Sequence, residues 1–341
     1  MIPEEKSAGV ARALREAFDV TEFEDIRRMT KGLSSDLVFR IVVHGSSFLL
    51  RIMTRINETN DPARIFACMT AAAEAGLAPR VLYCNAEDGI AIIDFIEAVS
   101  FPATQALALL PRTLRRLHAL PPFPKAFNYV TAHKGFIWRF RAAGLLPRDE
   151  IEDIFPRYAQ ICAAYPRVDA DMVSCHMDLK PENIVFDGLR PWLIDWMAAS
   201  VNDRYFDLSI VANFVVTNEA EERTYLAEYF GQPPDQYQLA RFFLMRQVLH
   251  MFYAAVFLLL GSAGKPIPRS ENPTLFRTFH DQLWAGEIDL ADNAMRGVYG
   301  WIHWEALLTN LRQTRFDEAL RIVSDRQAPP EGMRWLLPLA E

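Results

Sequence analysis

The chain has 341 residues, 51% of them hydrophobic, and a formal net charge of −7. That apolar content suffices for a large core, and the length suits two lobes better than one. The acidic balance, with no basic block or basic–aromatic interleaving, excludes a nucleic-acid partner. Four scattered cysteines (Cys68, Cys84, Cys162, Cys175) without C-x-x-C spacing exclude a thiolate metal cluster and point to a reducing compartment.

The first residues lack an apolar h-region, so no signal peptide is expected. Residues 4–17 carry apolar positions at helical spacing and predict a helix. Two β-rich runs follow, Leu37–Val43 and Ser47–Ile52, with His44-Gly45-Ser46 as the turn between them. Asp61 suits an N-cap, Pro62 the first helical position and Gly76 a stop, which predicts a helix from Pro62 to about Ala75. Two more strands are expected around Arg80–Cys84 and Gly89–Asp94.

The pattern then turns helical, with candidate helices at 103–119, 134–144, 149–164, 204–216, 219–229, 236–260, 274–285, 288–309 and 314–325. The apolar run Met251–Leu260 is far shorter than the roughly 20 residues that cross a bilayer. It reads as a buried core helix, and no membrane span is expected. A strand-rich first third before a helical remainder predicts an α+β chain. Its small antiparallel β lobe covers residues 1–96 and its large, mainly helical lobe covers 97–341.

The most informative stretch is Cys175-His176-Met177-Asp178-Leu179-Lys180-Pro181-Glu182-Asn183, followed twelve residues after Asn183 by Asp195. H-x-D-x-x-x-x-N with a later isolated acid is the set of groups that phosphoryl transfer needs. One carboxylate, Asp178, takes the proton of an attacking hydroxyl. An amide oxygen, Asn183, and a second carboxylate, Asp195, suit Mg²⁺, a hard cation that prefers oxygen ligands. Ile184-Val185-Phe186 and Trp192-Leu193-Ile194 read as short strands around an Asp187-Gly188 turn, a hairpin that returns Asp195 to the loop.

With Asn202-Asp203-Arg204-Tyr205-Phe206-Asp207-Leu208 downstream, this stretch resembles the aminoglycoside phosphotransferase and choline/ethanolamine kinase superfamily, which has the protein-kinase-like two-lobe fold. Arg115-Arg116-Leu117-His118-Ala119-Leu120-Pro121 resembles a helix-ending segment of that superfamily. Tyr229-Phe230-Gly231 and the helix around Arg246, His250 and Tyr253 are most similar to bacterial choline kinase-like members. The resemblance implies an ATP- and Mg²⁺-dependent kinase acting on a small hydroxyl acceptor, with an amino alcohol first and an aminoglycoside or other metabolite second. A cytoplasmic location is expected, with a homodimer allowed. A non-catalytic nucleotide-binding module is the other class of protein this sequence could encode. Protein substrates are not expected, because no A-P-E-type segment follows Asp195.

The resemblance distributes further roles. Lys31-Gly32-Leu33-Ser34-Ser35-Asp36, before the first hairpin strand, is placed over the phosphates through Gly32, Ser34 and Ser35. Asp36 would be unfavourable there unless it pointed away. Arg51, between Leu50 and Ile52, is either an outward-facing strand residue or the cation on the α/β-phosphates. The helix Glu that should pair with such a cation is missing, with Ile65 in its slot; Asp61 or Asp195 could hold Arg51 instead. Adenine is expected against the backbone of Asp94 and Ile96. His176 is expected to bond backbone near the metal-binding acid, and Lys180 either faces the γ-phosphate or is solvated. Asp207 braces the catalytic loop or caps a helix. Tyr253, Trp301, Trp304 and Glu305 are either core or an aromatic cage with an acid for an ammonium group. Glu287, Asp289 and Asp292 read mainly as a solvated helix start.

Overall fold

The structure is a computed structural model that describes residues 2–29, 36–124, 129–166, 168–262, 267–270 and 275–326. Its first hairpin is set by two residues. His44 and Gly45 take positive φ values of 50° and 69°, as a two-residue primed turn requires. The turn pairs Val43 with Ser46 and fixes the register of β2 (Leu37–Val43) on β3 (Ser46–Ile52), so that Phe39 faces Leu50 and Val38 faces Arg51.

These strands lie in a five-stranded antiparallel sheet of order β1-β2-β3-β5-β4, completed by β1 (Asp25–Met29), β4 (Val81–Asn85) and β5 (Ile90–Asp94). Side chains alternate across a strand. One face, carrying Phe39, Ile41, Leu50, Ile52, Ile90 and Ile92, packs on Val10, Ala13 and Leu14 of helix α1 (Glu4–Phe18). Arg51 is therefore on the opposite face. Strand β1 was not expected. Four of its five residues are exposed and Ile26 alone is partly buried against the core, so no alternating pattern marks this edge strand.

Helix α2 (Pro62–Glu74) begins as expected, with the Asp61 side chain accepting from Ala63 N–H at 3.0 Å. Then follow α3 (Ala103–Leu117), α4 (Tyr129–Ala142), α5 (Arg148–Ala164), β6 (Met172–Cys175), β7 (Ile184–Phe186), β8 (Pro191–Leu193) and β9 (Ser200–Asp203). The remaining helices are α6 (Arg204–Val215), α7 (Glu219–Phe230), α8 (Gln236–Ser262), α9 (Phe276–Trp284), α10 (Asn293–Leu311) and α11 (Thr314–Asp325). Strands β6 and β9 pair with each other, as do β7 and β8. At four residues each, β6 and β9 are too short to have shown a period in the sequence. Helix α10 starts at Asn293 rather than 288, because Asp292 caps it by accepting from Ala294 N–H at 2.7 Å.

The chain groups into two compact units. One comprises residues 1–102, 115–127 and 173–201; the other comprises 103–114, 128–172 and 202–341. The catalytic-loop segment thus groups with the five-stranded sheet. The helical unit is built on α8, which packs on α6, α10 and α11. Among the described residues, α8 is long and apolar enough to cross a membrane by composition, with a mean hydropathy of 1.7 over its most apolar window; 61% of that window is buried. The structure uses it as a core helix, and Arg241, Gln247 and His250 on it are buried too.

Candidate active site

Two non-glycine residues of the catalytic-loop segment adopt left-handed backbone, Met177 at φ 71° and Asp195 at φ 64°. Such conformations cost free energy and persist where the surroundings over-determine them. Here the surroundings are hydrogen bonds. His176 is fully buried; Asp178 N–H donates to its Nδ1 at 3.4 Å, and Nε2 lies 2.9 Å from Ile194 O. With Nδ1 accepting, Nε2 carries the proton and donates to that carbonyl. The ring also packs 4.6 Å from Trp196. Ile194 N–H donates to Asn183 O at 3.0 Å and closes the β7–β8 hairpin at the site end. At its far end Asp187 Oδ1 accepts from Leu189 and Arg190 N–H, both at 2.8 Å, and Oδ2 accepts from Trp192 Nε1 at 2.7 Å.

This frame brings the sequence-selected groups together. Asn183 Nδ2 donates to Asp178 O at 2.8 Å and to Asp178 Oδ2 at 2.9 Å. Lys180 Nζ lies 3.3 Å from the same Oδ2. Burial opposes the lysine charge, but the carboxylates of Asp178, Glu182 and Asp195 outweigh it and hold the Lys180 pKa above its ordinary value. With its amide donors on Asp178, Asn183 has Oδ1 to offer a metal, and Asp195 offers a carboxylate. These are hard oxygen donors of the kind Mg²⁺ takes.

Arg51 reaches the same place from the sheet. Its Nη1 donates to Asp195 Oδ1 at 3.1 Å, its Nε donates to Asp36 Oδ2 at 2.9 Å, and its Nη2 is 2.8 Å from Asp36 Oδ2. Burial disfavours the guanidinium charge, but Asp195 and Asp36 overcome this and raise its pKa. The sequence singled out Arg51 and Asp195 as partners but gave Asp36 no part in the pair. The missed signal lies in the register. Val38 faces Arg51, and Asp36, two residues earlier, is on the same face at the diagonal position.

Helix α2 makes a different link. Ile65, in the slot of the missing Glu, is 1% exposed and in the core. Its neighbour Arg64 donates from Nη1 to Ala199 O at 2.7 Å, and from Nη2 to Met197 O at 2.7 Å and Thr59 O at 3.1 Å. The helix therefore grips the turn that follows Asp195 and does not grip Arg51. Asp61, the other candidate partner for Arg51, is the α2 cap.

Gly32, Ser34 and Ser35 lie outside the described residues. Asp94, at the end of β5, pairs through its side chain with Arg80 at 3.1 Å, and its backbone N–H donates to Arg80 O at 2.9 Å. Ile96 lies two residues beyond β5. Asp207 is buried in the first turn of α6, but the cap of that helix is Asp203, whose Oδ1 accepts from Tyr205 N–H at 2.9 Å.

Tyr253, Trp301, Trp304 and Glu305 do not form one aromatic face. Trp304 is fully buried against Phe140 and Phe155, and its Nε1 donates to Glu150 at 2.6 Å. Trp301 donates to Ile267 O at 3.2 Å and lies under Arg269, and Glu305 is ion-paired with Arg269. Tyr253 joins a different cluster with Phe257, Tyr299 and His303.

Comparison with known proteins bears on this geometry. The profile of the phosphotransferase enzyme family matches residues 25–243. Protein LicA of Haemophilus influenzae is 23% identical over 244 residues, covering 65% of this chain and 68% of that protein. A choline/ethanolamine kinase family protein from Mesorhizobium loti superposes with a TM-score of 0.64 at 20% identity, over 94% of this chain and 99% of that one. Choline kinase LicA from Streptococcus pneumoniae superposes with a TM-score of 0.55 at 16% identity, over 89% and 98% of the two chains. These structures share the two-lobe kinase-like fold. The family match covers well over half of the chain, which therefore belongs to the phosphotransferase enzyme family and is an enzyme that transfers a phosphate group.

Proposed function

We propose that the protein is an ATP- and Mg²⁺-dependent kinase that phosphorylates the hydroxyl of an amine-bearing small molecule, with choline or ethanolamine the first choice. The observation that carries this reading is the convergence of Asp178, Lys180, Asn183, Asp195 and Arg51 within one compact unit. Asn183 and Asp195 would hold Mg²⁺, and Arg51 would bind the α/β-phosphates. Mg-ATP supplies the γ-phosphoryl group. Asp178 accepts a hydrogen bond from the acceptor hydroxyl and takes its proton late, because a loose transition state needs little prior activation of the nucleophile. Lys180, beside Asp178, neutralises charge on the transferring phosphoryl oxygens. His176 and the Asn183–Ile194 bond fix the loop geometry.

The backbone of Asp94 and Ile96 suits the adenine edge. The amine-bearing acceptor is supported by the choline and ethanolamine kinase names of two similar structures. In this reading Trp304 and Glu305 serve the core and an ion pair. We place the enzyme in the cytoplasm, in keeping with four cysteines of which none forms a disulfide.

The test is ADP release from Mg-ATP with choline, ethanolamine, homoserine and several aminoglycosides as acceptors. Release is expected with an amino alcohol and should fall by about 10²–10⁴-fold in Asp178→Ala, the usual span for a lost general base. Release only with an aminoglycoside would replace the proposed acceptor. Release that survives the substitution would remove Asp178 from its role.

A further inference from the structure

We infer that Asp36 is the positioning residue that holds Arg51 in its phosphate-binding orientation, a task that helix α2 does not perform in this chain. The inference rests on the reading of Arg51 as the phosphate-binding cation.

Three observations converge. The first is the occupation of α2. Between Glu58 and Glu74 the only acid is Asp61, which caps the helix. Ile65 is in the core, and Arg64 is committed to the carbonyls of Met197, Ala199 and Thr59. Among these residues, none offers a carboxylate to a cation on the sheet.

The second is how the guanidinium is shared. Asp36 takes the Nε edge, at 2.9 Å, while Asp195 takes Nη1, at 3.1 Å. The Asp36 side chain is 1% exposed and that of Asp195 is 24% exposed. Asp195 is thus the partner open to other ligands, and Asp36 is the partner built into the frame. A largely buried guanidinium needs a fixed counter-charge, since a buried charge left with too few partners is strongly unfavourable.

The third is rigidity. Asp36 immediately precedes β2, diagonal to Arg51 across a hairpin whose register is set by the His44-Gly45 turn. A cation on β3 and an acid at the entry to the neighbouring strand β2 do not depend on α2 for their geometry. A carboxylate carried by a helix would set the cation only when the helix was docked. Arg51 is therefore set by the sheet, and α2 acts on the Asp195 turn through Arg64.

The experiment is ADP binding to the full-length enzyme, with and without Mg²⁺, by fluorescent-nucleotide titration of wild type, D36N, D36E, R51M and D36N/R51M. Initial-rate kinetics accompany it. D36N should weaken ADP binding about tenfold, on the scale of losing one charged hydrogen-bond partner. It should raise KM for ATP and leave KM for the acceptor unchanged. D36E, which keeps the charge, should recover most of the loss. In the R51M background the same D36N change should matter less than about twofold, because Asp36 acts through Arg51.

A merely structural Asp36 would instead give equal losses in both backgrounds, and that result overturns the inference. So does D36N binding ADP as wild type does while R51M binds weakly, an outcome that leaves the kinase reading intact. Wild type that binds no ADP would sink both. Should D36N fail to fold, D36E must still bind ADP within about fivefold of wild type; a larger loss would remove the positioning role.

Discussion

Arg241 gives the sharpest test of how the helical unit is held. Its side chain is 1% exposed on α8. It is ion-paired with Asp171 and, at 2.6 Å, with Asp203, and it lies over the rings of Tyr205 and Tyr165 at 4.6 and 5.0 Å. Asp203 is buried as well. It accepts from Tyr165 Oη at 3.3 Å and caps α6 through Tyr205 N–H. Arg241→Met keeps much of the stem volume and removes the charge, so Asp203 is left as a buried acid without its cation. Breaking a buried pair from one side costs about 3–5 kcal/mol, a large part of the roughly 5–15 kcal/mol that holds a domain together.

The pH dependence adds a second constraint. Burial already raises the Asp203 pKa against the opposing pull of Arg241, and removing Arg241 raises it further. A carboxyl whose folded pKa is raised favours the folded state while protonated and loses that contribution as pH rises through the folded value. The Arg241→Met deficit should therefore be largest at pH 7.5 and shrink toward pH 5, by up to about 1.4 kcal/mol per pH unit within the shifted window. Urea unfolding, followed by circular dichroism at both pH values, measures it. Adding Asp203→Asn should restore part of the loss. An Arg241→Met protein within about 1 kcal/mol of wild type at pH 7.5 would refute the account.

Two further outcomes are expected in the same unit. At Gly300 an added Cβ would lie 2.8 Å from the backbone nitrogen of Leu258, where α10 crosses α8. Gly300→Ala should therefore lower stability by about 1–3 kcal/mol, seen as a lower calorimetric Tm, and an unchanged Tm would contradict that close approach. His250, His280 and His303 are fully buried, and burial depresses all three, with His280 pushed down to about 3. They fold neutral, so their contribution is complete above about pH 6.5 and is lost as pH falls through that value toward the folded ones. Each histidine should remove up to about 1.4 kcal/mol per pH unit in that window. Urea midpoints at pH 7.5, 6.0 and 5.0 should drop in turn; a flat series would rule out buried neutral histidines.

The parts of the fold legible in the sequence are those marked by local chemistry. Asp61-Pro62 and Gly76 bracket α2, and His44-Gly45 marks the first hairpin. The spacing of His176, Asp178, Asn183 and Asp195 anticipates a loop and a returning strand. What escaped was non-local. Strand β1 exists because β2 offers an edge, not because Asp25–Met29 carries a pattern. Arg51 stands out as a charge between apolar residues, yet its partner Asp36 emerges only once the strand register is known. Arg64 of α2 carries no such signal, because its acceptors are carbonyls and leave no mark in a sequence. Helical spacing places Trp301 and Trp304 on one face, but it cannot say that one rests on Phe140 and Phe155 and the other under Arg269.

The place of α8 in the chain has a consequence for biosynthesis. Every segment of the unit holding Asp178 and Arg51 has been synthesised by residue 201, before α8 begins at Gln236. Two of the helices that cover α8, α10 and α11, emerge only afterwards. A growing polypeptide thus carries every group proposed for phosphate transfer while its most apolar helix still awaits its C-terminal cover. Exposed apolar surface of this kind drives aggregation and recruits chaperones. A fragment ending before Asn293 would keep every group proposed for chemistry and fail through insolubility.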